Sequence, residues 1–217
     1  MTRPTVMLRH NKVDLALHRL RDGAGGPLLL LHGLGERSPA SVPLQAEGWP
    51  GPAWALDFTG HGGSTIPAGG GYTAEVLMGD VDAALEHLGP ATIFGRGLGA
   101  YVALLISGAR AEAVRGAVLA DGPGLFGGPA GPTSPQMVAV PPGVTGPPDP
   151  FAMIELSRDV RPADYATTFA RAAAEHSDLD QPIAVAAIGR PPWLEAVVDA
   201  LVLEPTTVED ALAGYSR

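Results

Sequence analysis

Two rhythms of hydrophobic and polar positions alternate along the chain. Short apolar runs occupy residues 5–9, 13–20, 27–31, 53–58, 92–94, 116–120 and 183–188. The second run alternates Val13, Leu15 and Leu17 on one face and reads, with the first, as a hairpin joined at His10-Asn11-Lys12. Residues 27–31 are apolar throughout, as in a strand covered on both faces. Between the runs the spacing becomes helical. Thr73 caps a predicted helix to about Leu88, with Leu77, Val81, Ala84 and Leu85 on one stripe. An Ala-, Val- and Leu-rich pattern follows the turn 95–99 and runs to Ala109, and further helices are expected over 151–158, 163–176 and 193–200. A last short strand is expected at 201–203, and a final helix at the capping box Thr206 and Glu209. About half of residues 122–150 are Gly or Pro, a composition that holds neither helix nor interior strand and reads as a long mobile loop.

Strands alternating with helices predict an α/β domain spanning residues 1–217. Its sheet has about eight strands, mostly parallel, with helices on both faces, an antiparallel edge from the hairpin and one insertion after the sixth strand. Such sheets bind ligands outside the carboxyl ends of their strands, which here are His32, Phe58, Gly95, Asp121, Gly189 and Glu204.

Composition narrows the partners more than the fold. With 217 residues, 46% of them apolar, the chain has the balance of one ordinary globular domain. A net charge of −9 and the lack of any Lys/Arg cluster argue against nucleic acid and anionic membrane. No long apolar segment follows the charges of MTRPTVMLRHNKVDL, and 27–31 is too short to span a bilayer, so a cytoplasmic protein is expected. The absence of cysteine excludes disulfides, thiolate metal sites and a cysteine nucleophile. No His/Asp/Glu cluster has metal-ligand spacing, and 95–99 lacks the length and the Lys-Ser/Thr of a phosphate loop, so neither metal nor cofactor is expected.

The turn Gly95-Arg96-Gly97-Leu98-Gly99 has the frame of G-x-S-x-G, in which a strand reverses into a helix and the central residue stands at the tip. Together with His32-Gly33 and the stretch Asp57 to Ser64, at these spacings, it resembles the α/β-hydrolase fold superfamily over nearly the whole chain. The resemblance makes 122–180 a Gly/Pro-rich loop plus helical cap. It puts Gly97 at the nucleophile position and the amides of Leu34 and Leu98 at the oxyanion hole. The family's acid usually follows the seventh strand, where this chain has Gly189-Arg190-Pro191, but in some members it follows the sixth, where Asp121 stands. Its histidine lies beyond the last strand, and no histidine follows His176. The resemblance thus implies a hydrolase scaffold without nucleophile or base, a pseudoenzyme.

Each remaining candidate carries a catalytic and a structural reading. His32 is a candidate base beside the oxyanion hole or a histidine that ties the loop, and His61 is a loop tie in a Gly-rich turn. Asp121 is an acid/base or ligand-binding carboxylate, or a cap on the following turn. Glu36 and Arg37 line the mouth of the pocket, and Arg96 supports the loop from behind. Ser64 sits in a turn, Ser107 lies deep in a helix, His176 is at a solvated helix end, and Trp193 is core. Three functions follow from these readings. The first is a non-catalytic member binding a small acyl or hydrophobic ligand, or a protein, at Leu34, Leu98, Gly97, Asp121 and Glu36. The second is an enzyme using acid/base chemistry through Asp121 or His32. The third is a structural subunit of a homodimer or of a complex with an active relative, with its crater filled by cap side chains and a large apolar surface elsewhere.

Overall fold

The computed structural model describes residues 4–129, 143 and 145–216. Seven strands form one sheet in the order β1-β2-β4-β3-β5-β6-β7. Strands β1 (Thr5–His10) and β2 (Val13–Arg21) make the expected hairpin, turned by Asn11 at φ 53°, and β2 pairs antiparallel with β4 (Ala53–Leu56). The rest of the sheet is parallel: β3 (Leu28–Leu31) lies between β4 and β5 (Ala91–Arg96), followed by β6 (Val114–Ala120) and β7 (Ile183–Val185).

The two faces of this sheet are covered unequally. On the first face lie α1 (Ala74–Leu88), α2 (Leu98–Ala109), α4 (Ala163–His176) and α5 (Pro192–Leu201), burying Leu77, Val81, Leu104 and Trp193 against Leu29, Ile93 and Leu119. Among the described residues the second face carries a single 3-10 turn, Leu44–Ala46, and α6 (Val208–Tyr215), packed with Trp49 on Leu28, Ala55 and Val118. A helix in the β3–β4 connection would need a run of apolar positions at helical spacing. Pro39, Pro43, Pro50 and Pro52 interrupt that stretch and leave one turn.

The α/β architecture stands as read, with seven strands where about eight are expected. Residues 201–203 do not make the last strand: Leu201 closes α5 and Val202 turns left-handed at φ 52° as its cap. The final helix is also capped one residue later than expected, by Thr207, whose side chain accepts from the Asp210 amide. Helix α1 starts at Thr73 as read, its hydroxyl accepting from Val76. Within 122–180, residues 122–129 lie over the turn before α2. Helix α3 (Pro150–Arg158) is capped by Asp149, which also accepts from the Tyr72 hydroxyl, and α4 packs beside α2 and α5 in the helical layer. Residues 130–142 and 144, the middle of the Gly/Pro-rich loop, lie outside the described residues. No helix among the described residues is long and apolar enough to cross a membrane.

Candidate functional site

Gly97 joins β5 to α2 at φ 59°, ψ −121°, a conformation that side chains rarely adopt. The space above it is taken. A β-carbon built on Gly97 would overlap the carbonyl oxygen of Pro123, because residues 122–125 run directly over the turn. That carbonyl is anchored from two sides. The backbone N–H of Leu34, from the loop after β3, and the N–H of Leu98, at the start of α2, each donate to the Pro123 oxygen at 2.9 Å. These are the two amides that the resemblance assigns to an oxyanion hole. Their acceptor is a main-chain carbonyl of the same chain.

The segment is held at further points. The carbonyl of Leu125 accepts from Arg161 Nη1 at 2.6 Å and from Trp193 Nε1 at 2.9 Å, and the Leu125 side chain is buried in the core. Gly128 donates to the Asp159 carbonyl. Arg161 is buried with its guanidinium 4.5 Å from the Tyr101 ring centre, and burial lowers its pKa to about 10 despite the Asp159 charge nearby. Glycine on both sides of Pro123 permits this approach. A β-carbon at 122 would stand 2.8 Å from the Gly97 nitrogen, and one at 124 would stand 2.6 Å from the Leu34 β-carbon.

The buried histidines next to the site are spent on structure. His32 Nδ1 donates to the Gly33 carbonyl at 2.8 Å, and its Nε2 accepts from the Phe58 amide at 3.1 Å, so both ring nitrogens of the neutral imidazole are occupied. Burial, reinforced by the neighbouring His61, pushes its pKa down to about 4. His61 donates to the Thr59 carbonyl and accepts from the Gly35 amide at 3.3 Å, and burial lowers its pKa as well. The loop carrying the Leu34 donor is therefore tied down by two neutral rings. Asp57 performs a similar task deeper in, accepting from the Ser38 and Gly63 amides and from His18.

Asp121 stands at the end of β6, and its carboxylate accepts from the amides of Ile188 at 2.6 Å and Gly189 at 2.9 Å, tying the exit of β7 to the exit of β6. Glu36 receives Arg96 Nη1 at 2.8 and 3.0 Å and the Gly33 amide at 3.0 Å, which makes Arg96 a brace for the loop after β3. The Ser64 hydroxyl accepts from Ala16 N and donates to the Asp57 carbonyl, and that of Ser107 donates to the Ala103 carbonyl. His176 is exposed at the end of α4. Among the described residues neither His32 nor His176 is hydrogen-bonded to Asp121, and no group of three His, Asp or Glu could hold a metal ion.

An open space beside these residues lies on the second face. A cleft of about 910 Å³ is floored by Leu30, Phe94 and Ala120, the ends of three parallel strands, with Ala186 and Val208 beyond them. Its rim carries Arg37 and Asp121 and the Glu36–Arg96 pair. The structure thus separates the expected site residues. Gly97, Leu34 and Leu98 meet under Pro123, whereas Asp121 and Glu36 face the cleft. Sequence reasoning did not find Pro123 or Arg161. For Pro123 the available signal was Gly-Pro-Gly directly after a buried strand, which marks a close backbone approach.

The alpha/beta hydrolase family model matches residues 28–216. Among solved structures the chain is similar to the hypothetical protein PA1622 from Pseudomonas aeruginosa PAO1, with a TM-score of 0.65, 20% identity, and coverage of 98% of this chain and 96% of that one. It is similar also to the thioesterase domain from the curacin biosynthetic pathway, at a TM-score of 0.62 and 16% identity, covering 100% of this chain and 98% of that one. VinJ matches over 54% of this chain and 43% of its own, at 22% identity and a TM-score of 0.46. The chain spans 42%, 44% and 43% of the length of the first three structures it matches. Comparison with curated proteins gives no match.

Proposed function

The chain belongs to the alpha/beta hydrolase family, and from that premise we propose that it is a non-catalytic member which works by binding a small apolar ligand. One observation carries this reading: the carbonyl of Pro123 accepts from both Leu34 and Leu98 over a turn whose tip is Gly97. A tetrahedral intermediate would need those two donors, and a nucleophile would need the space that the carbonyl fills. In a serine protease, loss of the nucleophile costs about two millionfold in turnover, roughly 8 to 9 kcal/mol of barrier. A free oxyanion hole would leave some 10³- to 10⁴-fold over water, and here the hole is filled from within.

Acid/base chemistry through Asp121 or His32 gains no support from the geometry, since both spend their polar atoms on backbone groups. A small ligand is favoured over a protein partner by the concave cleft on the second face, whose volume is in the range of small-molecule sites. The test is a panel of short- and medium-chain nitrophenyl esters and thioesters. The expected result is hydrolysis no faster than in buffer. Saturable turnover that follows enzyme concentration would overturn the reading.

A further inference from the structure

The cleft on the second face has the chemistry of a particular ligand class. Its floor is hydrocarbon, supplied by Leu30, Phe94 and Ala120 and continued by Ala186 and Val208. The β3–β4 connection forms a single 3-10 turn, so among the described residues no helix from that connection lies over the carboxyl ends of β3, β5 and β6. The charges on its rim are not equivalent. Arg96 is neutralised by Glu36, which it meets through 2.8 and 3.0 Å contacts. Arg37, by contrast, is exposed in the connection after β3, and among the described residues no carboxylate pairs with it. Asp121 marks the opposite end, after β6. With β5 between them, the ends of β3 and β6 are two interstrand spacings apart, about 10 Å, and the cleft lined by both residues spans that width.

We infer that this cleft binds an aliphatic monocarboxylate of medium chain length, its head on Arg37 and its tail over Phe94 and Ala120 toward Asp121. The Arg37 guanidinium selects an anionic head, because the fork of an arginine matches a carboxylate and none of the described carboxylates pairs with it. The apolar floor holds the tail. Asp121 repels a second carboxylate at the far end, so a diacid of the same length fits worse. This inference rests on the binding reading above and adds the place and the class of the ligand.

Isothermal titration calorimetry of the full chain with decanoate, decanol and decanedioate, all below micellar concentration, tests it. Decanoate is expected to bind saturably and to raise the melting temperature, with decanol and decanedioate weaker by about threefold or more. Arg37→Gln should bring decanoate down to the level of decanol, and Ala186→Trp, which fills the cleft, should abolish both. Decanoate binding that survives both substitutions would overturn the assignment. So would its absence in a protein that elutes as a dimer, which would give the cleft to a second copy. A protein that binds decanoate as described yet turns over nitrophenyl decanoate would keep this site and lose the non-catalytic reading. The reverse result, neither binding nor turnover, would remove the cleft assignment alone.

Discussion

The space above Gly97 and the cleft across the sheet stand at the carboxyl ends of the same strands, yet one is closed and the other open. Over Gly97 the backbone of 122–125 supplies a carbonyl to two convergent amides, and four helices back the strands beneath it. Over Leu30, Phe94 and Ala120, among the described residues, a single 3-10 turn and α6 are the helical cover of the sheet, with Pro147 and Pro148 at the edge of the cleft. The turn between β5 and α2 is covered by the chain's own backbone, while Leu30, Phe94 and Ala120 line a cleft. A family's fold fixes where strand ends converge; which of those places remains vacant depends on a few glycines and on the length of one connection.

The largest effect expected from breaking this contrast is at Gly97. Gly97→Ser introduces a side chain at φ 59° and pushes the Pro123 carbonyl off two buried amides. Strain of about 1–3 kcal/mol and the loss of the buried hydrogen bonds should lower unfolding free energy by roughly 3 to 5 kcal/mol. Urea titration reads this. A change under about 0.5 kcal/mol would show that the closure contributes nothing, and no esterase activity should appear, since His32 and His61 are held by backbone groups.

Acid should loosen the closed region next. His32 has a folded pKa of about 4 against 6.5 for the free side chain, so the unfolded chain binds the proton more readily. Stability is therefore complete above pH 6.5 and is lost as pH falls toward 4, by on the order of 3 kcal/mol. His61, lowered in the same direction, adds to this loss. His10 acts oppositely: Asp80 accepts its proton at 2.8 Å and raises its pKa, so its smaller contribution is present below pH 6.5 and fades as pH rises through the folded value. Unfolding curves from pH 4 to 7 check the sign, and His32→Asn should flatten the acid limb.

A smaller loss is expected from Trp193→Phe, which removes one of the two donors to the Leu125 carbonyl while Arg161 keeps the other. About 1 kcal/mol is anticipated, with faster amide exchange at Leu34 and Leu98 as the closing segment loosens. The smallest effect lies on the open side. Arg96→Gln breaks a partly exposed ion pair with Glu36 and should change stability by less than about 1 kcal/mol.

Much of the scaffold was legible because periodicity and caps are local. Thr73 before α1, the stripe through α4 and the Gly-x-Gly-x-Gly turn each needed only neighbouring residues to be read. The structural use of His32 and the supporting role of Arg96 follow from the same short stretches. What escaped depends on distant pairs. The Pro123 carbonyl meets amides that lie far away along the chain at Leu34 and Leu98, and nothing in a Gly/Pro-rich composition says where a loop will lie. The eighth strand was lost to a left-handed Val202 that ends α5, a conformation rare for a β-branched residue and so invisible to propensity. The cleft likewise came from something missing, a helix replaced by one turn.

One internal carbonyl closes both donors. Scalar couplings across hydrogen bonds, read by NMR from the amide nitrogens of Leu34 and Leu98 to the carbonyl carbon of Pro123, test it most directly. A coupling from each amide to that same carbon is expected, with slow exchange of both protons. Two rapidly exchanging amides with no coupling to Pro123 would contradict it.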